Sequence, residues 1–282
     1  MGRRYSWYMR VFRAVGLSLL ACAASSAGLL ASAVTASART QVAITGGVTP
    51  TITGFPTAPK NVRLTLSGRM IGDDVEGMFP ATTTKIVWWF THGARVNGAL
   101  FPHCDPRRLA AARGSSKACP KGSRIGGGWV VATAISVTAR VRIDVYNGRG
   151  GRSMIFYFST QRPVVVNDML VAPFQQLKGG RHGFKLTMRI PEGLQELTPG
   201  MVTSVRDFTA TVGGMTTTAR IGGRRVKRGF IETMACPPGA LVVARGEFSF
   251  RTIAPVTVDS YLGCGQAPPF PPEFPPSQLG SA

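Results

Sequence analysis

Val137-Thr138-Ala139-Arg140-Val141-Arg142-Ile143-Asp144-Val145 sets an apolar side chain at every second position, with Thr138, Arg140, Arg142 and Asp144 between them. A repeat of two over this length marks a strand with one buried and one solvated face. The same alternation recurs in Val62, Leu64 and Leu66 against Arg63, Thr65 and Ser67, and in Phe184, Leu186, Met188 and Ile190 against Lys185, Thr187 and Arg189. These are half-buried strands. Ile86 to Phe90, Met154 to Phe158 and Val164 to Val166 are continuous apolar or β-branched runs and read as strands buried on both faces.

Further strands are expected near Trp129 to Ala134, Phe208 to Val212, Thr216 to Ile221, Phe230 to Cys236, Arg245 to Arg251 and Val256 to Leu262. Asn147-Gly148, followed by Arg149-Gly150-Gly151, reads as the turn of a hairpin from Val137 to Thr160, because Asn and Gly tolerate positive φ. One helix is signalled: Asp105 can cap it, Pro106 can take its first position, Arg107 to Arg113 favour it and Gly114 can end it. The fold class is therefore all-β, an antiparallel two-sheet sandwich, jelly-roll-like in outline, with one short helix in a disulfide loop.

The chain opens with Arg3, Arg4, Arg10 and Arg13 and no acid, then an uncharged run from Ala14 to Ala38 that holds Ala31-Ser32-Ala33 and Ala36-Ser37-Ala38. Residues 1–38 read as a signal peptide, with cleavage after Ala38 preferred to Ala33. The expected location is secreted or extracytoplasmic at the cell surface. A lipoprotein through Cys22 in Leu19-Leu20-Ala21-Cys22, or an uncleaved N-terminal anchor, are the alternatives. The organisation expected after the signal is a Thr/Gly/Pro-rich linker at 39–59, a β-domain at 60–265 and a Pro-rich disordered tail at 266–282. No transmembrane segment is expected after the signal.

Of 33 Lys and Arg, four lie in the signal, leaving 29 against 13 Asp and Glu, a net charge of +16. A field of this sign draws a protein to polyanions and keeps it soluble. Since 26 of the basic residues are Arg and seven are Lys, GC-rich codon usage accounts for the bias equally well. Cys104, Cys119, Cys236 and Cys264 remain once the signal is removed, and local pairing (104 with 119, 236 with 264) brackets two local units. No C-x-x-C spacing occurs, so no metal site is read.

Material for catalysis is sparse. Asp73, Asp74 and Glu76 share a Gly-bounded turn, Glu232 and Glu247 stand on separate strands, and His92, His103 and His182 are dispersed. Gly122-Ser123-Arg124-Ile125-Gly126-Gly127-Gly128 leads into a strand, where a nucleophile elbow or a phosphate loop needs a helix. It reads as turn and bulge geometry. Trp88 and Trp89 must face opposite sides of their strand, one of them the core. No catalytic residue and no cofactor are assigned. The densest basic stretch, Arg220 to Gly229, presents Arg220, Arg224, Arg225, Lys227 and Arg228 on a hairpin loop, a candidate grip for an anionic polymer.

Phe101-Pro102-His103-Cys104, the short helix, and Ala118-Cys119-Pro120-Lys121-Gly122-Ser123-Arg124-Ile125-Gly126-Gly127-Gly128 resemble a signature of secreted actinobacterial β-rich proteins of uncharacterised function. Cys236-Pro237-Pro238-Gly239, Phe248-Ser249-Phe250 and Cys264 extend the likeness, which spans roughly 60 to 265. The resemblance supports export and the cysteine pairing and transfers no functional residue. The function expected is a non-enzymatic envelope module held on an anionic cell-wall polymer or glycan, without specific nucleic-acid recognition. A secreted carbohydrate-active hydrolase using Asp73, Asp74 or Asp168, and a structural envelope protein, are the rivals.

Overall fold

The computed structural model describes residues 40–50, 54–72, 79–134, 137–234 and 241–263. The signal segment, Asp73, Asp74, Glu76, Cys236, Cys264 and the Pro-rich tail lie outside them. The chain divides after Ser37, and the unit from Ala38 onward holds everything described below.

The first strands in chain order are β1 (Gln41–Thr49), β2 (Lys60–Ile71), β3 (Thr83–Thr91) and the short β4 (Ala94–Val96). Helix α1 (Pro106–Ala111) follows, then β5 (Arg124–Ala134), β6 (Val137–Asn147), β7 (Ser153–Thr160), β8 (Val166–Gln176) and β9 (His182–Arg189). A one-turn helix α2 (Glu192–Gln195) leads to β10 (Glu196–Thr198), β11 (Met201–Val202) and β12 (Ser204–Gly213). The last strands are β13 (Thr216–Ile221), β14 (Arg224–Gly229), β15 (Ile231–Thr233), β16 (Leu241–Phe250) and β17 (Val256–Gly263).

The fold is the all-β, antiparallel, sandwich-like arrangement expected, and its two layers join at both edges. Hydrogen-bonded neighbours run β1-β17-β16-β3-β9-β8-β7-β6-β5-β12-β2, and β2 then pairs with β1 along its whole length, from Gln41 opposite Ile71 to Thr49 opposite Arg63. The ladder is a closed, flattened ring. Eleven strands cannot alternate direction around a ring, so one neighbouring pair must be parallel, and that pair is β1 with β17 at Gly47 and Gly263. Closure removes the exposed edges that invite aggregation. Strands β5 to β9 follow one another as a meander, where a jelly roll would interleave them by crossovers.

Residues 41–49 correct the expected linker: Gln41–Thr49 is a paired strand that seals the ring, with Val42 and Ile44 in the core. Its Thr and Gly content hid a period of two whose inward members are Val42, Ile44, Gly46 and Val48. Strand β8 is a second correction: of Val164 to Val166, read as buried on both faces, only Val166 belongs to the strand, which runs eleven residues to Gln176, and Val165 is exposed.

Inward side chains of the two layers meet across the ring. Trp88 on β3 lies edge-on to Phe208 of β12 on the far side at 6.1 Å, while along the wall it meets Phe248 of the neighbouring β16 at 5.6 Å and Phe90 stacks on Phe184 of the neighbouring β9 at 4.7 Å. The outer wall is polar and ion-paired, as in Arg69 with Asp207 and Arg245 with Asp259, both at 2.7 Å. Apolar inside and charged outside is the reverse of a barrel whose wall faces lipid.

Packing of the interior is incomplete. Two chambers of about 140 and 100 Å³ remain between the layers. Protein interiors contain few voids larger than a water molecule.

Helix α1 forms where the sequence places it, with the Asp105 carboxylate accepting from the N–H groups of Arg107 and Arg108 at 2.8 and 3.3 Å. Leu109, fully buried, joins Cys104, Cys119, Tyr146, Ile155 and Tyr157 in a second cluster on the outer face of β6 and β7. That cover explains why Met154 to Phe158 is buried on both faces. Asn147, read as a turn residue, instead ends β6 with its side-chain amide donating to the carbonyls of Gly98, Phe101 and Pro102. Positive φ falls at Gly150 and Gly151.

The Cys104–Cys119 disulfide closes this excursion over a sequence separation of 15. Replacing both cysteines with serine is expected to lower the unfolding free energy by about 3 kcal/mol, the chain-entropy value for a loop of this size. Denaturant titration, compared with the same shift on reduction of the native protein, checks it.

Candidate polyanion-binding hairpin

Strands β13 and β14 form a two-stranded ribbon of their own, joined by Gly222-Gly223 with φ of +56° and +79°. Two consecutive positive φ values make the turn whose twist matches paired strands, and no atom crowds either glycine. The stretch expected as a loop is thus a regular hairpin, pairing Ile221 with Arg224, Arg220 with Arg225, Thr218 with Lys227 and Thr217 with Arg228.

Side chains directly opposite in a ladder share a face. One face carries Thr216, Thr218, Arg220, Arg225 and Lys227, all exposed; the other carries Ala219, Ile221, Val226, Arg224 and Arg228. Arg220 and Arg225 are therefore a like-charge cross-strand pair in water, an arrangement that destabilises a hairpin by itself. No acidic residue lies between Thr216 and Gly229 to offset it.

The five basic residues do not act alike. Arg228 turns toward the protein and approaches the Glu232 carboxylate at 3.5 Å. Glu232, on β15, is only 2 % exposed, and one carboxylate oxygen accepts from Arg95 at 2.5 Å and from the Asn97 amide at 2.9 Å. The other oxygen accepts the Gly229 backbone N–H at 2.9 Å. Burial pushes the Glu232 carboxyl up, but the hydrogen bonds from Arg95, Gly229 and Asn97 outweigh it and hold the group below its ordinary value. Since β15 pairs with both β2 and β4, Glu232 fixes the base of the hairpin to the ring. That leaves Arg220, Arg224, Arg225 and Lys227 at the outer end.

Sequence reasoning treated Glu232 and Glu247 as solitary strand residues. Each has a cation across the ladder: Arg95 stands opposite Glu232, and Lys85 lies 3.5 Å from Glu247 on a neighbouring strand. A short strand carrying one acid beside an Arg-rich hairpin was the available signal for Glu232.

The remaining candidates separate in space. Asp168 is half-buried on β8, where its carboxylate accepts the Met169 backbone N–H at 2.7 Å. His92 and His182 come together at the ends of β3 and β9, beside Trp89. Burial and the nearby Arg245 hold the His182 imidazole below its ordinary pKa. His103 stays apart at the Gly98 carbonyl. Trp88 is in the core and Trp89 faces outward, as their adjacency requires. Gly122 makes a turn and the β5–β6 register shifts between Arg124 and Gly126, the turn and bulge expected of that glycine-rich run. Among the described residues no group of three or more His, Cys, Asp or Glu gathers to hold a metal, and no helix is long and apolar enough to cross a membrane. No family model, curated protein or solved structure matches the chain.

Proposed function

We propose that the protein is an exported, non-enzymatic module retained on anionic cell-surface polymers through the β13–β14 hairpin. The observation that carries this reading is the opposed Arg220–Arg225 pair, extended on the same face by Lys227 and at the turn by Arg224. Cations held this close repel one another, and a polyanion laid along the ribbon relieves that repulsion by bridging them. The ring supplies a rigid mount, because the hairpin base is hydrogen-bonded through Gly229 to the buried Glu232. The net positive charge of the chain attracts a polyanion at long range, and the hairpin gathers four cations in one place to hold it.

Co-sedimentation with purified cell walls and with polyphosphate, across a sodium chloride series, tests the reading. Binding at low salt that is lost as salt rises is expected, because exposed cations are screened within a Debye length of about 8 Å at physiological ionic strength. Arg225→Glu places an acid opposite Arg220. It is expected to weaken binding at low salt without lowering the thermal midpoint, since it replaces a repulsive pair with an attractive one. Binding by this variant equal to that of the native protein would remove the hairpin from the mechanism.

A further inference from the structure

The two interior chambers are not independent voids. Ile86, Val130, Phe158, Ile190 and Val205 line both, so the chambers lie next to each other with a waist of these five side chains between them. The larger chamber is walled wholly by apolar side chains, Trp88, Phe156, Leu186 and Ala210 among them. The smaller one is apolar at the waist and ends on three buried threonines, Thr83, Thr133 and Thr203. A cavity without polar partners does not hold water well and accepts an apolar guest instead.

The threonine end has a cover. Leu194 of α2 and Leu197 of β10 form part of the smaller chamber's wall. The segment that carries them is held by the Gln195 amide donating to the Ile190 carbonyl, by the Thr203 hydroxyl and backbone N–H donating to the Leu194 and Gln195 carbonyls, by its pairing with β11, and by Glu196 with Arg251 at 3.1 Å. Val164 lines the chamber beside this cover, while its neighbour Val165 is 66 % exposed. At this end, apolar side chains run from the chamber wall to the exposed Val165.

We infer that the ring interior binds one linear alkyl chain of an amphiphile, methyl end in the larger chamber and polar end at the threonines beneath the α2–β10 cover. A chain suits the two chambers better than a compact ring, because only an elongated guest reaches from one past the shared side chains into the other. A cavity of about 150 Å³ accepts a benzene-sized guest, so two such chambers in series take a chain of about eight to ten carbons. The site is separate from the hairpin and uses none of its residues.

Titration of the full chain with decan-1-ol and with decanoate, followed by calorimetry, tests the inference, with 10-bromodecan-1-ol as a contact quencher of tryptophan. Trp88 is the one tryptophan in the chamber wall. Both ligands are expected to bind saturably at one per chain, and the brominated alcohol to quench fluorescence in parallel. Trp88→Phe should keep the binding heat and lose the quenching; Ala210→Phe, which fills the larger chamber, should weaken binding by about tenfold or more. If Ala210→Phe does not fold, the Trp88→Phe comparison decides alone. Binding of decanoate without decan-1-ol would mean adsorption of an anion on a basic surface and would overturn the inference. So would quenching that persists in Trp88→Phe, or no saturable heat for the alcohol.

Discussion

Glu232→Ala lowers the unfolding free energy by about 3–5 kcal/mol, the range for removing one partner of a buried ion pair. The carboxylate is 2 % exposed and gathers Arg95, Asn97, Arg228 and the Gly229 N–H, so its removal leaves two guanidinium groups without their counter-charge. The same residue sets an acid limit. Its folded pKa lies below the unfolded value of 4.5, so its contribution is complete above that pH and is lost as pH falls through the folded value. Glu196, held down by the Gly200 N–H and Arg251, and Asp259, held down by Arg245, act with the same sign. Denaturant unfolding at pH 7 and pH 3 is expected to show a smaller pH dependence for Glu232→Gln than for the native protein. Equal dependence in the two would mean that Glu232 titrates at its unfolded value.

Gly128→Val is expected to prevent stable folding, with a loss beyond about 4 kcal/mol, a size that single substitutions reach only by a named steric or electrostatic fault. A Cβ on Gly128 would lie 1.9 Å from the Thr209 carbonyl oxygen of β12, and one on Gly126 would lie 2.1 Å from that of Thr211. Both neighbours are backbone and cannot turn aside. Glycine in a strand interior marks a tight bend or close approach of backbones, and here β5 bends over β12 to turn the flattened ring. Gly127, one residue away, points to the opposite side and would meet Ile143 O at 3.0 Å. Gly127→Ala is accordingly expected to be the milder change. Circular dichroism of the purified variants and their denaturant midpoints check the order.

Much of this fold is written in short-range patterns. Val137 to Val145, Phe184 to Ile190 and Val62 to Leu66 alternate because each lies on a wall with one face in the core and one in water, and Asp105-Pro106 starts α1 by local hydrogen bonding alone. What escaped is non-local. Strand β1 has Thr and Gly where other strands carry larger apolar residues, since it closes the ring against β2 and needs few large side chains to do so. Ring closure itself has no sequence signature, because it depends on which strands meet, not on what each prefers. The hairpin was readable as a basic stretch between strands. Its pairing was not, because the Gly222-Gly223 turn fixes a register that puts Arg220 opposite Arg225 only once both arms are extended. Glu232 and the interior chambers belong to the same class: a charge whose closest cation, Arg95, lies 137 positions away, and a space that exists only between completed layers.

The hairpin's role is tested most directly by the salt dependence of polyphosphate affinity. Each cation that neutralises a phosphate contributes about 0.7–0.9 to the slope of log K against log salt, as established for nucleic acids. Replacing Arg220, Arg224, Arg225 and Lys227 together by alanine is therefore expected to reduce the slope by about three and to weaken binding at low salt. An unchanged slope, with affinity lowered little or not at all, would place the polymer elsewhere on the basic surface and contradict retention through the hairpin.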